Sequence, residues 1–110
     1  MEIKEEKLAG KSVIHLAGNL DINAAKALED KLVPLIESGE KNIIIDFDQL
    51  NYISSSGLRV LVFAANKLLP DKGKMDFCGM KDHIKQVFEI TGFLTIFRIF
   101  PNLAEAISAK

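Results

Sequence analysis

Hydrophobic and polar positions along the chain follow two alternating periods, which together predict a regular succession of strands and helices. Short apolar runs rich in β-branched residues indicate strands, and apolar residues spaced three or four positions apart indicate helices. The predicted strands are residues 3–8, 12–17, 42–47, 74–78 and 96–100, and the predicted helices are residues 22–38, 58–69, 82–90 and 102–109.

The order of these elements predicts the fold. Strands alternate with helices after residue 12, which favours right-handed crossovers and a parallel sheet. The run Ile43-Ile44-Ile45 is apolar at consecutive positions, as is typical of a strand covered on both faces. Ala9-Gly10-Lys11 has the length of a hairpin turn. We therefore predict one α/β domain over residues 1–110, with a mostly parallel five-stranded sheet, an antiparallel N-terminal hairpin and four packed helices.

Three local signals bear on the helix ends. Pro34 cannot donate a hydrogen bond to the carbonyl of Asp30, so we expect a kink in the last turns of the first helix. Gly92 is placed to end the third helix. Asn102 is expected to cap the last helix, with Glu105 reaching back to it.

Composition narrows the possible functions. The chain is 48% hydrophobic and 26% charged with a net charge of −1, which indicates a globular domain and gives no electrostatic drive towards nucleic acid. The charged start of the chain is not a signal peptide, and no apolar run is long enough to insert into a membrane. Cys78 is the single cysteine and is expected to be a small buried residue. We expect a cytoplasmic protein without a cofactor.

The chemistry-bearing residues are expected in loops after strands, where sites form in parallel sheets. Two such loops are predicted, residues 18–21 and residues 48–57. The second contains Ser54-Ser55-Ser56-Gly57, here called the serine segment, just before a predicted helix. A serine caps a helix well, but one hydroxyl suffices for that purpose. The residues alone leave a cap and a modification site equally open.

Other candidates have weaker support. Asp46-Phe47-Asp48 superficially matches the nucleophile motif of haloacid-dehalogenase phosphotransferases, but Leu50 stands where that motif has Thr or Val. A solvated strand end is the preferred interpretation. His15 and His83 have no partner at metal-ligand spacing, so both are expected to be structural or solvated, and no metal site is predicted.

Phe63 lies on the side of its predicted helix that carries Arg59 and Lys67, away from the apolar stripe of Leu58, Leu61 and Leu68. Either the next helix covers this ring or it is an exposed aromatic residue for binding a partner protein. The adjacent serine segment favours the second interpretation.

Residues 50–61, Leu-Asn-Tyr-Ile-Ser-Ser-Ser-Gly-Leu-Arg-Val-Leu, resemble the STAS domain family, specifically the free-standing bacterial anti-sigma factor antagonists. Gly18-Asn19-Leu20-Asp21, the strand residues 43–47 and Thr91-Gly92-Phe93 extend the resemblance over nearly the whole chain. One departure concerns Ser54, because family members often carry Asp immediately before the phosphorylated serine.

The resemblance implies a binding protein and not an enzyme. Unphosphorylated, it would bind an anti-sigma factor serine kinase and so release a sigma factor; the kinase would phosphorylate Ser55, and a metal-dependent serine phosphatase would reset it. Asp21 matches a family aspartate near this surface. The predicted partner-binding residues are Asp21, Ser54, Ser56, Gly57, Arg59 and Phe63.

Two alternatives remain at this point. One is a STAS subunit of a lipid transporter, or of another regulatory complex without sigma-factor control. The other is an enzyme, either a phosphatase that uses Asp46 and Asp48 or a weak nucleotide hydrolase.

Overall fold

Five strands form one sheet whose spatial order follows the chain, β1-β2-β3-β4-β5. The computed structural model describes residues 1–95 and 97–109. The strands are β1 Glu2–Leu8, β2 Lys11–Leu20, β3 Asn42–Ile53, β4 Lys74–Cys78 and β5 Arg98–Phe100, and the helices are α1 Ile22–Glu37, α2 Ser55–Leu68, α3 Asp82–Thr91 and α4 Leu103–Ser108. β1 and β2 are antiparallel, and β2 to β5 are parallel. The predicted fold is confirmed; Ile96 and Lys110 lie outside the described residues.

The two faces of the sheet are covered unequally. Helices α1, α2 and α3 pack on one face, where Phe47, Phe77 and Phe88 are fully buried with ring centroids 5.1–5.9 Å apart. The short α4 packs on the other face, through Ala106 against Ile44 and its neighbours. Side chains alternate between the faces of a strand, so the isoleucine run is apolar throughout because both faces are covered there.

The predicted loops after β2 and β3 were wrong over most of their length, because residues 18–20 belong to β2 and residues 48–53 to β3. β2 continues to Leu20 and β3 to Ile53, and the two extensions pair with each other as far as Leu20↔Ile53. Register irregularities follow His15 and Gly18, and the last buried positions of β3 fall three residues apart, at Leu50 and Ile53. A bulge breaks the two-residue alternation from which strands are predicted.

Helix boundaries also differ from the prediction. α2 begins at Ser55, so most of the serine segment forms its first turn, and it ends before the exposed Leu69, which starts a 3-10 turn. α1 continues through Pro34 to Glu37, since the carbonyl of Pro34 still accepts from Ser38.

The remaining helix ends agree with the sequence. Gly92 ends α3 with a φ of 80°. The Asn102 side chain accepts from the backbone N–H of Glu105 at 2.9 Å, and the Glu105 carboxylate accepts from the Asn102 side-chain amide.

Candidate functional site

The paired ends of β2 and β3 bring two helix N-termini together. The backbone N–H of Ser54 donates to the carbonyl of Leu20 at 2.9 Å, directly before each strand passes into a helix. Asp21 caps α1 by accepting from Ala24 N–H, and Ser54 caps α2 by accepting from Gly57 N–H. Neighbouring strands lie about 4.8 Å apart, so the two caps are side by side. The sheet therefore brings Asp21 and the serine segment together.

The serines of this segment have different environments. The Ser54 hydroxyl is half-buried and serves as the cap. Ser56 is half-buried and lines a groove between α1 and α2. Ser55, the first residue of α2, is exposed. Within residues 1–95 and 97–109, neither the Ser55 nor the Ser56 hydroxyl makes a hydrogen bond. Ser55 is thus the hydroxyl most accessible to another protein.

The cap position accounts for the serine that stands where family members often carry aspartate. Ser and Asp are comparably good N-caps, because each offers an oxygen to the free N–H groups of the first helical turn. Ser54 uses its hydroxyl in this way, at 3.1 Å from Gly57 N.

We expect Ser54→Ala to lower the free energy of unfolding by about 1 kcal/mol, because the N–H of Gly57 loses its acceptor. Ser54→Asp should restore the stability of the original protein. Chemical denaturation of both variants measures the effect. Equal losses of unfolding free energy in Ser54→Ala and Ser54→Asp would show that Ser54 does not stabilise the protein by capping α2.

Gly57 contributes to the site through close packing. It is buried, and a Cβ atom built on it would lie 2.7 Å from Leu20 Cγ and 3.2 Å from Ile53 Cγ1. Glycine therefore lets the first turn of α2 rest directly on the strand ends. It presents no side chain of its own to a partner.

Arg59 and Phe63 lie beyond the serine segment, in the α1–α2 groove with Ser56. The groove lining consists of Ile22, Ala25, Lys26, Glu29, Ser56, Arg59, Val60 and Phe63. Phe63 is 47% exposed, and the Lys67 ammonium lies 5.7 Å from its ring centroid. The prediction that this ring is exposed is confirmed.

Within the described part of the chain, the charged side chains at this groove that lack a partner of opposite charge are positive. Lys26 pairs with Asp30 at 2.9 Å, whereas Arg59 and Lys67 have no carboxylate partner among the residues that the structure describes. The exposed ring of Phe63 thus lies in a groove that also carries Arg59, with the Lys67 ammonium beside it.

Two exposed apolar residues near the caps were missed by the sequence reasoning. Ile22, directly after the Asp21 cap, is 69% exposed, and Tyr52, directly before Ile53, is 51% exposed. For Ile22, the sequence signal for an exposed position was an apolar residue directly after a capping residue. Tyr52 gave none, because its segment was predicted as a loop.

The Asp46 carboxylate belongs to a polar cluster on the sheet. His15 Nδ1 lies 2.7 Å from Asp46 Oδ2, and His15 Nε2 lies 3.0 Å from Glu6. The other oxygen of Asp46 accepts from the backbone N–H of Asp48 and from the Cys78 thiol. Burial, followed by the charge and hydrogen bond of Asp46, raises the pKa of Cys78 to about 12, so the thiol stays protonated. Asp46 is therefore engaged in joining β1, β2, β3 and β4, which supports a structural role.

Two further properties of the described residues concern ligands and membranes. No three His, Cys, Asp or Glu side chains gather as a metal site within the described part of the chain. None of its helices has the length and apolarity needed to cross a bilayer.

The sequence profile of the STAS domain matches residues 2–106. The chain belongs to the STAS domain family. A Bordetella bronchiseptica relative that bears the name of an anti-sigma factor antagonist, BtrV, is 37% identical over 99% of this chain and 93% of its own length.

Solved structures share the STAS fold. The superposition on an anti-sigma factor antagonist of Thermotoga maritima has a TM-score of 0.91, with 16% identity over 96% of this chain and 91% of the other. The phosphorylated form of SpoIIAA from Bacillus gives 0.78, with 23% identity and 96% of both chains covered.

Proposed function

We propose that this STAS domain is an anti-sigma factor antagonist. In its unphosphorylated form it binds an anti-sigma factor that is also a serine kinase, and the sigma factor is released. Phosphorylation of Ser55 ends this binding, and a metal-dependent serine phosphatase restores it. The 37% identity to BtrV across almost the whole chain supports this function. These partners act in the cytoplasm, and the ATP and metal ions belong to them.

The exposure of Ser55 is the observation that carries the proposal. Of the serines at the α2 N-terminus, it alone is exposed, and its hydroxyl makes no hydrogen bond within the described residues. In the proposed reaction its oxygen attacks the γ-phosphorus of ATP held by the kinase. The hydroxyl proton passes to a base of the kinase, and ADP leaves. Ser55 is thus a substrate residue.

A phosphate at this position would change binding without unfolding the domain. It adds a charge of about −1.5 to −2 to a surface that meets the partner as a neutral hydroxyl. In the free protein the same charge lies at the first residue of α2, where unpaired N–H groups and the helix dipole stabilise an anion. The complex therefore loses more from the phosphate than the free protein does.

The proposal is tested by incubating the protein with ATP and an anti-sigma factor serine kinase from the same organism, followed by phosphate mapping with mass spectrometry. We expect phosphate on Ser55 and none on a Ser55→Ala variant, whereas Ser56→Ala is phosphorylated normally. An active kinase that leaves Ser55 unmodified would contradict the proposal.

We expect Phe63→Ala to weaken binding to the anti-sigma factor by about tenfold, since aromatic side chains are common anchors at protein interfaces. Its ring is already 47% exposed, so stability should change little. Isothermal titration calorimetry measures the affinity. Ile90→Ala is the matched control, because it removes an exposed apolar side chain from α3, outside the groove. If Phe63→Ala and Ile90→Ala bind with equal affinity, Phe63 does not contribute to the interface.

A further inference from the structure

Strand β3 extends well beyond its neighbour β4. The two strands pair only as far as Asp46↔Cys78, and residues 47–53, here called the β3 extension, continue beside β2 alone. The side of the extension that faces away from β2 therefore carries backbone carbonyls without a strand partner. Such groups need other donors, or the segment is held weakly.

Two side chains at the start of α3 supply these donors, one from its N-cap Lys81 and one from His83 in its first turn. Lys81 Nζ donates to the carbonyl oxygens of Asp48 at 2.6 Å and Leu50 at 3.2 Å. His83 Nε2 donates to the carbonyl oxygen of Asn51 at 2.6 Å. Close approach depends on Gly79, where a Cβ atom would lie 3.2 Å from the Asp48 backbone nitrogen. Side chains thus take the place of β4 along the extension.

Lys81 is an unusual residue for its position. It is the N-cap of α3, where Ser, Thr, Asp and Asn are preferred because their oxygens accept from free N–H groups. A lysine side chain has no acceptor and makes no cap here. Its ammonium group donates to carbonyl oxygens of β3 instead. The residue therefore stabilises a contact between distant segments and does not stabilise the start of α3 by capping.

We propose that Lys81 and His83 are positioning residues that clip the β3 extension in place and, through it, present the serine segment to the kinase. Ser54 follows the extension directly, so the place of the α2 N-terminus depends on where the extension lies. Neither residue takes part in phosphoryl transfer. The kinase step of this inference rests on the proposed function, whereas the clip itself does not.

Amide hydrogen exchange measured by NMR tests the clip without any partner. In Lys81→Met, we expect the amides of residues 49–54 to exchange about tenfold faster, as a loss of about 1.4 kcal/mol produces, while those of residues 43–45 are unchanged. Lys81→Arg should restore slow exchange. Lys85→Met, which removes an exposed lysine from α3, is the matched control. His83→Ala should accelerate exchange mainly at residues 52–54.

Kinase kinetics then separate positioning from general stability. We expect Lys81→Met to raise KM for phosphorylation several-fold with kcat little changed, because a loosened segment is bound less well but reacts normally once bound. Lys81→Arg should recover the original KM. Unchanged exchange at residues 49–54 in both Lys81→Met and His83→Ala would overturn the clip. An unphosphorylated original protein would overturn the proposed function alone, and exchange would still decide on the clip.

Discussion

Ser55→Asp is expected to weaken binding to the anti-sigma factor by about 100-fold, which corresponds to about 2.7 kcal/mol. The carboxylate places a charge where the partner meets an exposed hydroxyl at the start of α2. Like-charge repulsion or desolvation of that charge in the complex accounts for an effect of this size. The fold should keep its stability, because an acidic residue in the first turn of a helix interacts favourably with the helix dipole.

Isothermal titration calorimetry and thermal unfolding together separate a binding effect from a folding effect. Ser55→Ala should bind as tightly as the original protein and resist the kinase. Ser38→Asp adds the same charge at an exposed serine at the other end of α1, and it should leave affinity unchanged. Binding of Ser55→Asp at the original affinity would refute the phosphate switch at this residue.

Gly57→Val is expected to lower the free energy of unfolding by about 3 kcal/mol, at the upper end of the cost of overpacking a core. The first added carbon would lie 2.7 Å from Leu20 Cγ and 3.2 Å from Ile53 Cγ1. Leu20 is fully buried, so any shift of its side chain displaces its neighbours in the close-packed core. Relief of this contact requires α2 to move away from the ends of β2 and β3, which would displace Ser55 as well.

Denaturant and thermal unfolding measure the cost, and the melting temperature should fall by more than about 10 °C. Ser55→Val places the same side chain at an exposed position in the same helical turn. It should change stability by less than about 0.5 kcal/mol, as surface substitutions do. If the two valine variants were equally stable, close packing would not be the reason for glycine at residue 57.

The predictions for Ser55 and Gly57 concern the same turn of α2, which packs on the ends of β2 and β3. Ser55 is exposed at the surface, and Gly57 lets the helix that carries it rest against the strand ends. Phosphorylation can alter binding only if the hydroxyl is held where the partner meets it. The packing of Gly57 fixes the helix that carries it, and in our proposal the hydrogen bonds of Lys81 and His83 fix the strand that leads into that helix.

Sequence reasoning was accurate where short-range physics decides the structure. Spacing of apolar residues located each strand and helix, and Gly92 and Asn102 marked helix ends where the structure has them. It was inaccurate at residues 48–57, which it treated as a loop. The sequence shows that the serine segment has more hydroxyls than one cap needs. It does not show that Ser54 caps α2 while Ser55 is exposed.

The amino-acid sequence by itself determined the α/β class, the antiparallel hairpin with an otherwise parallel sheet, and the candidate segment at residues 54–57, because periodicity and capping act over a few neighbouring residues. Only the tertiary structure decided that β3 extends to Ile53, that Ser54 caps α2 while Ser55 is exposed, and that Lys81 and His83 serve the extension. These features depend on strand register, and register is set by contacts between segments tens of residues apart.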